Sequence, residues 1–208
     1  MIILSIHSMK EENKRVLGLK LPTDPRWVNL AELSLEEILT DHAFCEQKAT
    51  TSCISLIQKY SDKSLLVQKV APVVSEEWSH FRMVLKELDK RGMKLGNQRK
   101  DEYVNKLMFF IRKGVSKDEL FLDRLLFCAM IEARSCERFR LLSLYISEKS
   151  LREFYHNFMV SEAGHYQLFL DLAEYYCGKE ITRKRWQECL DFEAEVVKQL
   201  KPKANRMH

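Results

Sequence analysis

Glycine and proline are scarce in this chain, at 6 and 4 of 208 residues. Few positions can supply left-handed turns or break a helix, so the turn-rich all-β architectures are excluded. No run approaches the roughly 20 uninterrupted apolar residues that a membrane-spanning helix requires. The six cysteines, at 45, 53, 128, 136, 177 and 189, contain no C-x-x-C spacing, and they read as buried free thiols on helices rather than as disulfides or a metal site. The apolar opening Met1–Ile6 is too short for the core of a secretory signal. A soluble protein in a reducing, cytoplasmic setting is therefore expected. Strong charge of one sign is also missing, since 34 Lys+Arg against 30 Asp+Glu leave a net charge of +4. That balance is compatible with a polyanionic partner without requiring one.

What is present favours helix. Leu, Glu, Lys, Arg and Ala dominate long stretches, and the 46% hydrophobic content over 208 residues allows one well-buried core. The class is all-α. Residues 1–33 read as an irregular or partly helical leader, because Pro22 and Pro25 interrupt any regular element there. Residues 34–200 read as one helical bundle, and 201–208 as a loose basic tail. Ser34-Leu35-Glu36-Glu37 has the spacing of a capping box and opens a helix to about Tyr60. Asp62 can cap a second helix, with stripe Leu66, Val70, Val73, Glu77, His80, Val84 and Leu88, which stops at Gly92 and which Pro72 can bend. Residues 96–113 form a crossover containing a short amphipathic segment. Ser116-Lys117-Asp118-Glu119 is a second capping box, ahead of the stripe Leu122, Leu125, Ala129, Glu132, Cys136 and Phe139. A fourth helix starts near Ser147 and ends at Gly178, with Leu151, Phe158, Glu162, His165, Phe169 and Leu172 on one face, and a last helix over about 182–200 packs outside.

Two words stand out against this background. Glu77-Trp78-Ser79-His80 and Glu162-Ala163-Gly164-His165 each put a carboxylate and an imidazole three residues apart on one helical face. Each follows a lone glutamate at nearly the same distance, 31 residues from Glu46 to Glu77 and 30 from Glu132 to Glu162, which makes an internal repeat. One Glu from each of two helices plus Glu-x-x-His from each of the other two is the ligand set of ferritin-like di-iron or di-manganese carboxylate proteins. All six residues fall inside the apolar stripes. Four carboxylates in a low-dielectric core are costly unless paired, and two divalent cations balance their charge while the imidazoles add neutral nitrogen ligands. Carboxylate and histidine ligation suits iron or manganese. Glu137 competes with Glu132 for the third-helix position, because Met130, Leu141 and Leu144 surround it at helical spacing, and the repeat alignment favours Glu132. His42, one turn before Glu46, reads as a hydrogen-bonded core or rim histidine. Tyr103, Tyr155 and Tyr166 read as packing residues with their hydroxyls at the edge, and Trp78 and Phe81 as core.

The words around these ligands narrow the set. Leu21-Pro22-Thr23-Asp24-Pro25-Arg26-Trp27, Asp41-His42-Ala43-Phe44-Cys45-Glu46-Gln47-Lys48-Ala49, Ile131-Glu132-Ala133-Arg134-Ser135-Cys136-Glu137-Arg138-Phe139 and Ser161-Glu162-Ala163-Gly164-His165-Tyr166 resemble the tRNA hydroxylase family that acts on 2-methylthio-isopentenyl-adenosine. The resemblance covers roughly residues 21–200. It implies a ferritin-like four-helix bundle with a crossover between its halves and one additional C-terminal helix. It implies a non-haem di-iron monooxygenase that uses O2 and two electrons to hydroxylate the isopentenyl group of an adenosine beside the tRNA anticodon. Two Fe ions would be held by Glu46, Glu77, His80, Glu132, Glu162 and His165, with tRNA as substrate and an electron-transfer protein such as a ferredoxin or a flavoprotein reductase as donor. Candidate phosphate contacts are Lys86, Lys90, Arg91, Lys94, Arg99 and Lys100, then Arg183, Lys184 and Arg185, then Lys198, Lys201, Lys203 and Arg206, against the reading that these are solvated helix faces. Two other readings stay open: an iron-handling or peroxide-reducing protein with the same ligands, and a non-enzymatic module whose buried acids pair with Lys or Arg.

Overall fold

The computed structural model describes residues 17–200, 206 and 207. Among them are seven α-helices, one 3-10 turn and no strand. The helices are α1 (Trp27–Leu33), α2 (Leu35–Lys59), α3 (Ser64–Lys90), α4 (Glu102–Leu107), α5 (Lys117–Tyr145), α6 (Lys149–Cys177) and α7 (Lys179–Gln199), with the 3-10 turn at Met108–Phe110. Short loops join α2 to α3 and α5 to α6, so each pair packs as an antiparallel hairpin, and these are the two most extensive helix pairings. The crossover of α4 and the 3-10 turn joins the hairpins. Helix α7 packs outside, on α6, α5 and α4.

Local chemistry explains most boundaries. At Ser116 the capping box forms in full: its Oγ accepts from the Glu119 amide at 3.3 Å, and Glu119 Oε2 accepts from the Ser116 amide at 3.1 Å. Helix α3 ends in a left-handed Gly92 (φ 66°), with Gly92 N donating to Asp89 O and Met93 N to Leu88 O, the paired bonds of a Schellman stop. Pro72 lies within α3 without ending it.

Three expectations are corrected. Ser34 makes no capping bond, because α1 runs straight into it and its amide donates to Ala31 O, while Glu36 and Glu37 are drawn to the Lys94 amide and to Arg99. Asp62 is not the cap of α3, whose N-cap is Lys63. Helix α7 begins at Lys179 rather than near 182, since Gly178 at φ 87° ends α6 and accepts the Thr182 amide as the next helix starts.

The stripes on α3, α5 and α6 named above are buried as expected. The polar layer in their middle splits the core in two. One cluster contains Cys53, Val70, Val73, Leu125, Ala129 and Phe169, and the other Leu39, Val84, Phe139, Leu142, Tyr155 and Phe158. Described residues on either side of the bundle clasp this frame. Thr23 donates from its amide and hydroxyl to Glu137, each at 2.6 Å, and buried Trp27 lies beneath the Arg138 guanidinium at 4.3 Å. The tail is not loose at its end: Met207 is buried, its amide donates to Asp41 at 2.8 Å, and Arg206 donates to the same carboxylate at 2.9 Å. Residues 1–16, 201–205 and 208, including Met1–Ile6, Lys201 and Lys203, lie outside the described residues.

Candidate metal centre

Helices α2, α3, α5 and α6 each bring their predicted residues to the same layer. Glu46, Glu77, His80, Glu132, Glu162 and His165 are all at most 7% exposed. Their ligand atoms form two overlapping groups, Glu46, Glu77, His80 and Glu162, and Glu77, Glu132, Glu162 and His165, each with its atoms within 4.8 Å of one another. Glu77 and Glu162 belong to both. Each group therefore has its own glutamate and its own histidine, and two carboxylates lie between them.

Within the layer His80 Nδ1 lies 3.3 Å from Glu46 and 3.8 Å from Glu162, and His165 Nδ1 lies 2.7 Å from Glu77 and 3.7 Å from Glu162. Yet Glu46 Oε2, Glu77 Oε1, His80 Nδ1, Glu162 Oε1 and His165 Nδ1 are buried with no hydrogen bond of acceptable geometry. Orphaned atoms of this kind are rare and call for a partner. All of them converge on one small space, all are donors of electron pairs to cations, and two ions of charge two neutralise four carboxylates. The residues fit a two-metal site.

The electrostatics carry the same message. Burial, followed by the neighbouring carboxylates, pushes Glu132 and Glu162 far above the usual carboxylate range and Glu77 up to about 7. Burial opposes a charge on the imidazoles, but facing carboxylates outweigh it, raising His80 and lifting His165 to about 10. Burial also works against the Glu46 charge, yet His42 and His80 hold that carboxyl below its ordinary value. Burial and mutual repulsion thus disfavour charge on Glu77, Glu132 and Glu162, while the same carboxylates favour charge on the two imidazoles.

Some supporting residues were not legible beforehand. His165 directs its other nitrogen, Nε2, at Glu76 Oε2 at 3.2 Å, and Ser161 donates to the other oxygen of Glu76 at 2.7 Å. A carboxylate so placed is the kind of support that would fix the ring of a metal-binding imidazole. The signal was positional, since Glu76 and Ser161 each sit one residue before a Glu-x-x-His word. His42 is fully buried, with Nε2 2.8 Å from Glu46 Oε1 and its ring against Phe139, Tyr155 and Phe158. Neither ring nitrogen makes a hydrogen bond of acceptable geometry, so His42 stands beside a glutamate of the layer as a packed core histidine, not as the hydrogen-bonded one expected. Glu137 faces away from the layer and is satisfied by Thr23 and by Arg134 at 2.8 Å. Tyr103 donates to Glu193 at 3.2 Å, Tyr166 reaches Leu17 O at 3.4 Å, and Tyr155 is fully buried rather than at an edge. Trp78, expected in the core, is 45% exposed and stacks on Phe81, because one step along the helix from Glu77 turns it outward.

Beside the layer a cavity of about 60 Å³ is floored by Glu46, Glu77, Glu132 and Glu162 and walled by Cys53, Cys128, Phe127, Ile131 and Phe169. Its apolar walls ending on polar groups suit a small apolar substituent.

The candidate phosphate contacts divide. Arg91 is bound by Glu148 through two contacts at 2.6 Å and by Glu87, Arg99 by Glu37, and Arg185 by Asp123 and Glu188. Lys90 and Arg183 are exposed near Glu87 and Glu174, Lys198 is exposed and paired with Glu195, and Lys86, Lys94, Lys100 and Lys184 are exposed on the surface. No helix among the described residues is long and apolar enough to cross a membrane.

Four long helices in two hairpins, with one glutamate on each of two and Glu-x-x-His on the others, define the ferritin-like carboxylate fold. A protein with aldehyde deformylating oxygenase activity from Synechococcus superposes on 91% of the chain and 94% of its own, with a TM-score of 0.85 and 33% identity. Residues 9–208 match the family tRNA-(MS[2]IO[6]A)-hydroxylase (MiaE), and the chain belongs to that family. The match reaches further at both ends than the 21–200 carried by the sequence words. A tRNA 2-(methylsulfanyl)-N(6)-isopentenyladenosine(37) hydroxylase of Pseudomonas putida is 37% identical over 74% of the chain and 74% of that protein. One of the same name from Salmonella typhimurium is 26% identical over 80% of the chain and 78% of that protein.

Proposed function

We propose that this protein hydroxylates the isopentenyl group of 2-methylthio-N6-isopentenyladenosine next to the anticodon of tRNA, consuming O2 and two electrons. The observation that carries the reading is an apolar cavity whose floor is made of the carboxylates of a two-metal site, in a chain of this family. The reaction converts a C–H bond to C–OH, with the second oxygen atom leaving as water after uptake of two electrons and two protons. Glu46 and His80, and Glu132 and His165, would each hold one iron, with Glu77 and Glu162 between them. Such a pair of irons supplies the activation of dioxygen that no side chain can.

The rest falls to the chain. Cys53, Cys128, Ile131 and Phe169 exclude water and set the reach of the isopentenyl group. Glu76 and His42 orient a histidine and a glutamate of the centre. The electrons come from an external protein donor, such as a ferredoxin or a flavoprotein reductase. Residues 34–200 act as the catalytic bundle, clasped by Thr23 and Trp27 before it and by Arg206 and Met207 after it. Reduced, iron-loaded protein given labelled dioxygen and tRNA carrying the isopentenylated nucleoside should yield a nucleoside with one labelled oxygen by mass spectrometry. No oxygen incorporation at matched metal content would overturn the reading. The likeness to the Synechococcus oxygenase favours an aldehyde as second reading, and turnover of aldehyde but not of tRNA would establish it.

A further inference from the structure

The cavity over the carboxylates continues into a wider surface groove, since both are lined by Lys48, Ser52, Val104, Phe127 and Cys128. The outer end of that groove is built from Met108 and Ile111 on the crossover and Arg124 on α5. Met108 on this rim stands in solvent at 54% exposure, and Phe109, next in the chain at 77% and more exposed than every other described Phe, Tyr or Trp, lines with Lys113 an adjoining surface pocket that shares Met108 and Ile111 with the groove.

Their exposure is built in. Asp101 caps α4 by accepting from the Val104 amide at 3.0 Å, and Tyr103 and Leu107 are buried. Phe110 is buried under the Arg185 guanidinium, 3.9 Å from the ring centre, and its carbonyl accepts from Arg185 Nη2 at 2.9 Å. With Phe110 anchored, the short 3-10 turn holds Phe109 outward.

The charge beside it is positive. Arg124 lines the groove, engages the neutral Tyr60 hydroxyl and keeps its Nε buried without a hydrogen-bond partner. Lys113 is exposed, and the Lys106 ammonium contacts only the neutral Gln199 amide among its described partners, at 2.9 Å, whereas Arg112 is committed to Asp123 and Glu119. A rigid aromatic face next to uncompensated cations, at the mouth of a pocket, is the arrangement that receives single-stranded nucleic acid.

We infer that the turn Met108–Phe110 is a platform for an RNA loop: an unpaired base stacks on Phe109, Arg124 and Lys113 take flanking phosphates, and the neighbouring nucleotide is delivered through the groove to the cavity. This rests on the RNA substrate proposed above. The test uses full-length, iron-loaded Phe109→Ala and Lys113→Gln proteins with an anticodon stem-loop RNA and, separately, the free modified nucleoside. Because Phe109 is exposed, helix content and iron per chain should match the parent protein. Phe109→Ala should weaken RNA binding and raise KM for RNA about tenfold, the size of one lost base stack, with kcat and turnover of the free nucleoside unchanged. Lys113→Gln should lower the slope of log affinity against log salt by about one. Unchanged RNA affinity in both variants overturns the platform, as does equal loss for RNA and nucleoside. Slower reduction by the electron donor at unchanged RNA affinity assigns the face to a protein partner instead. If the parent protein neither binds nor oxidises the RNA, the substrate reading falls and this inference with it. If the parent works and the variants match it, only this inference falls.

Discussion

His42 and Cys128 occupy equivalent places, each four residues before the lone glutamate of its half, yet what surrounds them is opposite in kind. Seven residues after that glutamate, Cys53 stands where the other half has Phe139, and four before each Glu-x-x-His word Val73 matches Phe158. Phe139, Tyr155 and Phe158 fill the space around the His42 ring, with centroids 4.6 to 5.7 Å away. Cys53 and Cys128 line a cavity instead. The acids are symmetric, as charge balance around two cations would require. The walls are not, because a substrate needs a way in from one side while the other side stays packed and dry.

The sharpest way to break the symmetric part is to remove a residue common to both groups. Glu162→Ala should lose both irons, by metal analysis per chain, and reduce hydroxylation at least about 100-fold, beyond the range for a supporting residue. Retention of one full iron would show that Glu162 serves a single ion. Next in size is the packed wall. Phe158→Ala should cost about 3–5 kcal/mol in chemical denaturation, against about 1 kcal/mol for Cys128→Ala, and equal costs would erase the contrast between the walls. The open wall is probed by filling it: Cys128→Phe should keep its iron, lose about 1–3 kcal/mol from overpacking, and lower kcat/KM about 10- to 100-fold, since displacing the reacting group by an ångström is that damaging. Supporting residues come after. Glu76→Gln and His42→Gln should each weaken iron binding about 10- to 100-fold, the first at the His165 position and the second at the Glu46 position, so two-step iron release should separate in opposite orders.

The charge balance of the same layer is tested by pH. In the metal-free protein the Glu77 carboxyl lies at about 7 against an ordinary 4.5, raised by burial and the Glu46 charge. Between those values the folded chain holds a proton the unfolded chain has lost, so stability falls as pH rises. His165, at about 10 against 6.5, loses its stabilising proton in the same direction over the higher window. Metal uptake releases these protons, so iron affinity should rise with pH. Urea midpoints of metal-free and iron-loaded protein across both windows check this, and metal-free stability that climbs with pH contradicts it.

The six clustered residues were legible because a buried carboxylate at helical spacing violates the expected pattern, and the violation occurred twice at a matched distance. The capping box at Ser116 was legible because nothing precedes it, whereas the same spacing at Ser34 was overridden by the helix that runs into it. Glu76 and Ser161 were hidden because each sits on the exposed side of a helix and acquires meaning only when α3 faces α6. Glu137 shows the reverse: its burial looked like a ligand's, and it is satisfied by a leader residue far away in sequence. The cavity has no motif. It is the space left where Cys53, Ala49, Ser52 and Ser135 are small, and only the packed helices show that these face one another.

Trp78 gives this centre an optical voice. Trp27 and Trp186 are buried, at 1% and 8% exposure, while Trp78 meets solvent next in the chain to Glu77, a residue of both groups. The accessible part of the fluorescence therefore originates beside the centre. Its quenching on iron loading and its recovery on chelation would follow occupancy in real time, with neither substrate nor electron donor present.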